Sequence, residues 1–324
     1  MRPFSRVKKG GAAPLKLEQF EMWADPQDRG ISEFLIKRAE KLRKGLDPGP
    51  EREPDFNWII RTETEELAKL FAARPDRLVI YDLGANLGLN TLIIEQVAQK
   101  ILAPEKYLIV AIEPHQKNAA LLQKNIAHNH ANAKMFNCAI SDYTGPGQFH
   151  VSSHSNLGAL VPHDSTAQGS EQVQVFTLPA FAETFRIAAP NFIKMDIEGG
   201  EVEALKGGRE FLAHCPGPCR VLMEVHPMMY SEGRSLEKEI KFLFENGWAG
   251  KYMVSAAVAQ PDLFKQAGLS PFMQFETGRH VRGIYQDFAP ELLLDFACHE
   301  HVQELPGRKP SRKIVRAVLI EKKG

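Results

Sequence analysis

From residue 78 onward, short β-rich runs take turns with segments of helical period. That alternation is the tightest constraint on what this chain can become. "LVIYDLG" (78–84), "YLIVAIEP" (107–114) and "KMFNCAI" (134–140) read as strands, while "LNTLIIEQVAQKIL" (89–102) and "QKNAALLQKNIAHN" (116–129) read as helices. A β-α-β-α-β succession predicts an α/β fold built on a Rossmann-like, doubly wound, mostly parallel sheet. "FIKMDIEG" (192–199) and "CRVLMEVHP" (219–227) continue the sheet, with helices over 201–212 and 236–248, a strand near 251–258 and a last strand over 313–321. Residues 1–77 read as a leader (1–16) and a helical N-terminal extension, its segments 17–45 and 63–73 separated by the Pro-rich break at 46–56. Residues 78–324 read as the main domain. Two stretches interrupt its rhythm: 141–190, with an inserted β-hairpin, and 259–312, which reads as irregular.

"FIKMDIEGGE" (192–201) poses the sharpest question, because it puts Lys194 and Asp196 on one face of a strand expected to be buried. Sheet topology makes the next strand its neighbour, and alternation there puts Glu224 and His226 on one face. An ammonium set among carboxylates offsets part of the desolvation cost, so the four charges are expected to meet near the carboxyl ends of the strands. Lys194 reads as the ion-pair partner. His226 is the best single candidate for a general base, since imidazole titrates near neutrality. It could equally be a strand-end histidine bonded to a carboxylate. Asp196, Glu198 and Glu201 are candidates for a base, for binding a substrate hydroxyl or for holding Mg²⁺, although their spacing fixes no coordination shell. Glu201 reads first as a first-turn acid answering the helix dipole.

"YDLGANLGLN" (81–90) occupies a strand-to-helix turn, where open α/β sheets bind ligands. Its glycines, Gly84 and Gly88, follow a Gly-x-x-x-Gly spacing rather than the one that cradles a pyrophosphate. Asp82 would repel a diphosphate and attract an ammonium. Glu113, ending the next strand, is placed to accept ribose hydroxyls. A ligand with a ribose, a cationic head and no required phosphate fits S-adenosylmethionine.

"VIYDLGANLGLNT", "IVAIEP" and above all "IKMDIEGGEVEALKG" resemble the FkbM-type methyltransferases over about residues 78–256. That resemblance implies a methyltransferase of Rossmann-like fold whose cofactor is lined by Asp82, Gly84, Asn86, Gly88 and Glu113. Asp196, put at the same mouth by the alternation of its strand, is a further candidate for binding it. Asp142 would lie by the adenine. The loop carrying His154, Ser155 and Asn156 would cover the active site on the substrate side. The expected reaction is O-methylation of a sugar or other small-molecule hydroxyl. A nicotinamide-dependent oxidoreductase is the second reading, opposed by the glycine spacing and Asp82. A non-catalytic adenosyl-binding protein is the third.

Composition narrows the partners. Forty basic and forty acidic side chains give a formal net charge of zero, which argues against coating nucleic acid. The fourth strand also lacks the Asn/Asp-Pro-Pro-aromatic turn of amino methylation on nucleic acids. The basic clusters at 6–10 and 308–313 read as tail and loop. Four cysteines suggest a reducing compartment, and "CPGPC" (215–219) reads as a loop rather than a zinc site. His299 and His301 are spaced by two and would not share a helical face. With no apolar signal core and no long apolar run, the expected address is the cytoplasm.

Overall fold

The computed structural model describes residues 13–152, 158–160, 167–256, 261–277, 281–302 and 311–322. Two short strands, β1 (Leu15–Lys16) and β2 (Glu21–Met22), precede helices α1 (Ile31–Arg43) and α2 (Pro54–Ala72). Helical period over 17–45 therefore gives way to extended chain at its start. The cause is long-range: the side chains of Asn129 and Asn125 accept from the Glu21 and Trp23 N–H groups (3.3 and 2.6 Å) and hold this backbone straight. Pro54 starts α2 earlier than the Pro-rich break suggested, since proline at the first helical turn forfeits no hydrogen bond.

The alternating core follows as β3 (Leu78–Leu83), α3 (Leu89–Ala98), β4 (Tyr107–Ile112), α4 (Gln116–His128) and β5 (Ala133–Phe136). Every residue of β3 and β4 is buried, which explains their continuous apolar character. The strand expected over 134–140 divides. The Asn137 side chain donates to the carbonyls of Glu113 and Pro114 (both 2.9 Å), and the chain leaves the sheet there. Residues Ala139–Ile140 form β6, which joins a separate three-stranded sheet with the inserted hairpin β7 (Gly145–Ser152) and β8 (Ala167–Phe176). The hairpin is antiparallel, as its alternation indicated.

Helix α5 (Leu178–Phe185), unforeseen in the sequence, leads to β9 (Phe192–Met195). Then come α6 (Glu201–Ala213), β10 (Cys219–Glu224), α7 (Leu236–Glu245) and β11 (Trp248–Ser255). The stretch read as irregular contains α8 (Pro261–Gln266), β12 (Met273–Glu276), β13 (Val281–Tyr285) and α9 (Pro290–Cys298). These elements are too short to establish a clear period. β14 (Val315–Lys322) is the last strand.

The nine-stranded sheet runs β12-β13-β11-β14-β10-β9-β3-β4-β5. The five strands from β10 to β5 are parallel, and β14 lies antiparallel between β10 and β11. From β3 the chain builds outward to β4 and β5, then returns to place β9 on β3's other side. That reversal puts a topological switch point at the carboxyl ends of β3 and β9. Two buried apolar clusters cover the opposite faces, one holding Val79, Tyr81, Ile193 and Val221, the other Leu78, Ile80, Phe192 and Leu222.

Candidate active site

A cavity of about 300 Å³ opens at this switch point. Its floor is the turn after β3. Gly84, at φ +73°, lies so close to the next strand that a Cβ there would sit 2.0 Å from the Asp196 carbonyl oxygen. Only glycine accepts both the left-handed backbone and that approach. Gly88 has φ +93° and also faces a neighbour, Leu122, within 2.7 Å of an added Cβ. Between them Asn86, itself left-handed at φ +51°, gives its N–H to the Glu113 carboxylate (2.8 Å). The His115 N–H donates to the other Glu113 oxygen (2.9 Å), and Asn118 adds a side-chain bond. Burial nevertheless pushes the Glu113 carboxyl up to about 7. Three donors leave lone-pair capacity for a ligand hydroxyl.

Asp82 does not reach the cavity wall. It is fully buried, with Oδ1 3.0 Å from the Lys194 ammonium and Oδ2 accepting from the Thr91 hydroxyl (2.7 Å). The β3–β9 register places the two residues side by side. Lys194 also donates to the Gly84 carbonyl (2.9 Å) and lines the cavity. Burial opposes its charge, but Asp82 and Asp196 keep its pKa above the ordinary lysine value. The ion pair thus ties strand, turn and neighbouring strand together. Lys194 is an ion-pair residue as expected, but its partner is Asp82 on β3 rather than the Glu224–His226 group that alternation suggested.

His226 follows β10, and three carboxylates surround it. Its Nδ1 is 3.1 Å from Glu201 Oε1, and its Nε2 is 3.4 Å from Glu198 and 3.8 Å from Glu224. Tyr230 accepts from the His226 N–H (2.9 Å) and donates to Glu201 (3.3 Å), while Gly199 N–H also donates to Glu201 (3.0 Å). Burial would discharge the imidazole, yet Glu201 holds it up at about 9, so it is an imidazolium at neutral pH. Glu201 itself is fully buried and, against the pull of burial, lies below the usual carboxylate range because of His226. It is more than a dipole-answering helix acid. His226 does not line the cavity; Glu198, at φ +49°, stands between it and the open space. Burial and the Asp196 charge push the Glu198 carboxyl up to about 8. Asp196 is raised to about 6 by burial and Glu224, and its Oδ1 has no hydrogen-bond partner among the described residues.

Glu224 is clamped. Although burial opposes its charge, Arg316 and Lys313, each at 3.0 Å, hold its carboxyl far below the usual range. Arg316 comes from β14 and also meets Glu53 (2.7 Å), at the start of α2. Arg52, Glu53 and Ile31 therefore wall the cavity from the N-terminal segment, while Phe149 and Ala159 wall it from the inserted hairpin.

Among the remaining sequence candidates, Asp142 lies off the wall and pairs with Lys206 (2.7 Å), although its neighbour Ser141 lines the cavity. His154, Ser155 and Asn156 lie outside the described residues. Among the described residues no group of three or more His, Cys, Asp and Glu side chains has metal-holding geometry, and no helix is long and apolar enough to cross a membrane. Cys215 lies in the expected loop and Cys219 opens β10; both are buried, and both thiols donate to the Pro190 carbonyl (3.3 and 3.1 Å). Arg316, Tyr230 and Glu53 were missed. Only Arg316 carried a readable signal, an arginine inside the apolar run "KIVRAVLIE".

The model of the methyltransferase FkbM domain matches residues 82–248, more than half of the chain. The chain belongs to the FkbM methyltransferase family. This FkbM-family chain is 24% identical over 148 residues to hexuronic acid methyltransferase AglP of Haloferax volcanii. That match takes in 46% of the chain and 57% of AglP, so the chain spans less than two thirds of this curated relative. Among solved structures, it aligns with a SAM-dependent methyltransferase from Agrobacterium tumefaciens at 10% identity and TM-score 0.39, covering 99% of the chain and 73% of that structure. A SAM-dependent O-methyltransferase from Thermotoga maritima gives 10% identity and TM-score 0.35, covering 81% and 65%. Likeness at this level carries no argument, and the fold stands on its strand order.

The residues present fit an adenosylated, cationic cofactor. Gly84 leaves its turn bare, and Asn86 Oδ1 is a buried acceptor without a partner among the described residues. Glu113 lines the cavity and keeps acceptor capacity there.

Proposed function

We propose that this FkbM-family chain is an S-adenosylmethionine-dependent methyltransferase that methylates a hydroxyl of a sugar or comparable small molecule. The observation that carries the reading is the pairing of two differently tuned sites in one cavity. A backbone-fixed carboxylate at Glu113 suits a ribose, and a carboxyl poised near 8 at Glu198 suits a proton acceptor.

S-adenosylmethionine, when bound, supplies a methyl group on a positively charged sulfur. Glu113 would hold the ribose hydroxyls and Asn86 Oδ1 the amino group, while Lys194 keeps the Gly84 turn fixed through its carbonyl. Glu198 would orient the acceptor hydroxyl and take its proton. His226, protonated and fixed by Glu201 and Tyr230, stands behind Glu198 and favours its ionised form, which the transferred proton then neutralises. His226, the expected general base, would then act through Glu198 rather than on the acceptor directly. Glu224, committed to Arg316 and Lys313, anchors that arrangement. Asp196, with an oxygen lacking a donor, would receive a second acceptor hydroxyl.

Titration calorimetry with S-adenosylhomocysteine, NAD and NADP in parallel tests the class. We expect S-adenosylhomocysteine alone to bind. Binding of a nicotinamide cofactor alone would end the proposal.

A further inference from the structure

The cavity's charge is lopsided. Six carboxylates line it against three cations, and each of those cations already has an acidic partner. From behind the wall Lys313, Arg234 and His226 answer Glu224, Glu203 and Glu198. That leaves Glu113 and Asp196 as the lining carboxylates with no basic side chain at ion-pair distance among the described residues. Lys194 is paired with Asp82, Arg316 lies between Glu53 and Glu224, and Arg52 Nε rests 3.4 Å from Glu53. Hydrogen-bonding capacity is lopsided in the same direction. Asp196 Oδ1 is buried and lacks a donor among the described residues, and the carboxyl groups of Asp196 and Glu198 repel one another.

A ligand that donates hydrogen bonds would relieve both imbalances. One carrying a carboxylate would add a like charge to a desolvated acidic wall, where such juxtaposition is costly. Resting on the methyltransferase reading, we infer that the acceptor is a donor-rich, neutral or cationic molecule, a polyol or an amino sugar, and not a uronic acid. This separates the chain from the hexuronic acid methyltransferase to which it is similar. Two residues of this wall, Glu53 and Arg316, lie outside the family-matched segment 82–248.

The test compares matched methyl glycosides, amino glycosides and uronates of the gluco, galacto and manno series. Their affinities for the full chain are measured by ligand-observed NMR at pH 7.5, with and without S-adenosylhomocysteine. We expect the best neutral or amino member to bind at least about tenfold more tightly than its uronate. The double variant Asp196→Asn/Glu198→Gln should narrow that gap to about threefold or less. A uronate that equals its neutral counterpart, a gap untouched by the double variant, or a panel in which nothing binds would each overturn the inference. Failure of S-adenosylhomocysteine to bind would strike the methyltransferase reading instead, and the sugar comparison on the unloaded protein would still decide this one.

Discussion

In the proposed mechanism Glu198 takes the proton and His226 acts through it, and separate substitutions should tell the two roles apart. With Glu198→Gln we expect turnover to fall by about 10²-fold or more while S-adenosylhomocysteine affinity changes by less than about threefold, measured by single-turnover kinetics and calorimetry. Unchanged turnover would remove Glu198 from the proton-acceptor role. His226 should leave a second signature, in stability. Its folded pKa of about 9 exceeds the ordinary 6.5, so its contribution is fully present below pH 6.5 and lost as pH rises through 9. The stability difference between the native chain and His226→Gln, from denaturant unfolding, should therefore shrink between pH 6.5 and 9.5, by roughly 3 kcal/mol. A constant difference would refute the imidazolium. Glu198 and His226 could be singled out because each stands just past the carboxyl end of an apolar strand, β9 or β10. Their order was not legible, because which of Glu198 and His226 faces the cavity depends on a left-handed backbone at Glu198 that no spacing encodes.

At the level of elements, β3 and β9 are joined by more than their ladder. Lys194→Met strands the Asp82 carboxylate in the core, and we expect a loss of about 3–5 kcal/mol, with most of it recovered in Asp82→Asn/Lys194→Met. Additive losses in the double variant would mean the pair is uncoupled. The turn beyond β3 is equally exacting. Gly84→Ala must meet both a positive φ and a backbone oxygen, so we expect at least about 2 kcal/mol of destabilisation and loss of S-adenosylhomocysteine binding. Wild-type affinity in that variant would show that the floor of the cavity lies elsewhere. Strands β3, β4, β9 and β10 could be read from their apolar runs, since burial on both faces leaves a strong compositional trace. By contrast α5, β12 and β13 are brief, and tertiary pairing rather than local period defines them.

Across the whole molecule, the cavity draws on regions far apart in sequence, and Arg316 binds them. Removing it leaves the half-buried Glu53 and Glu224 facing each other, with Lys313 still on Glu224. Arg316→Met should cost about 3–5 kcal/mol and speed proteolytic cleavage in residues 44–53 relative to the sheet. Equal cleavage rates would detach the N-terminal segment from the site. That segment's role was hidden in the sequence because its anchors are distant. Trp23 is held by Asn125 and Glu53 by Arg316, contacts that leave no local pattern. The position of β14 has a consequence in time. It wedges between β10 and β11, about sixty residues after the later of the two has been made. During synthesis those two strands must wait apart, each with an open seam, until residues 315–322 emerge to close it. Pulse-labelled hydrogen exchange during refolding should find the amides of β14 and its two neighbours gaining protection together and last.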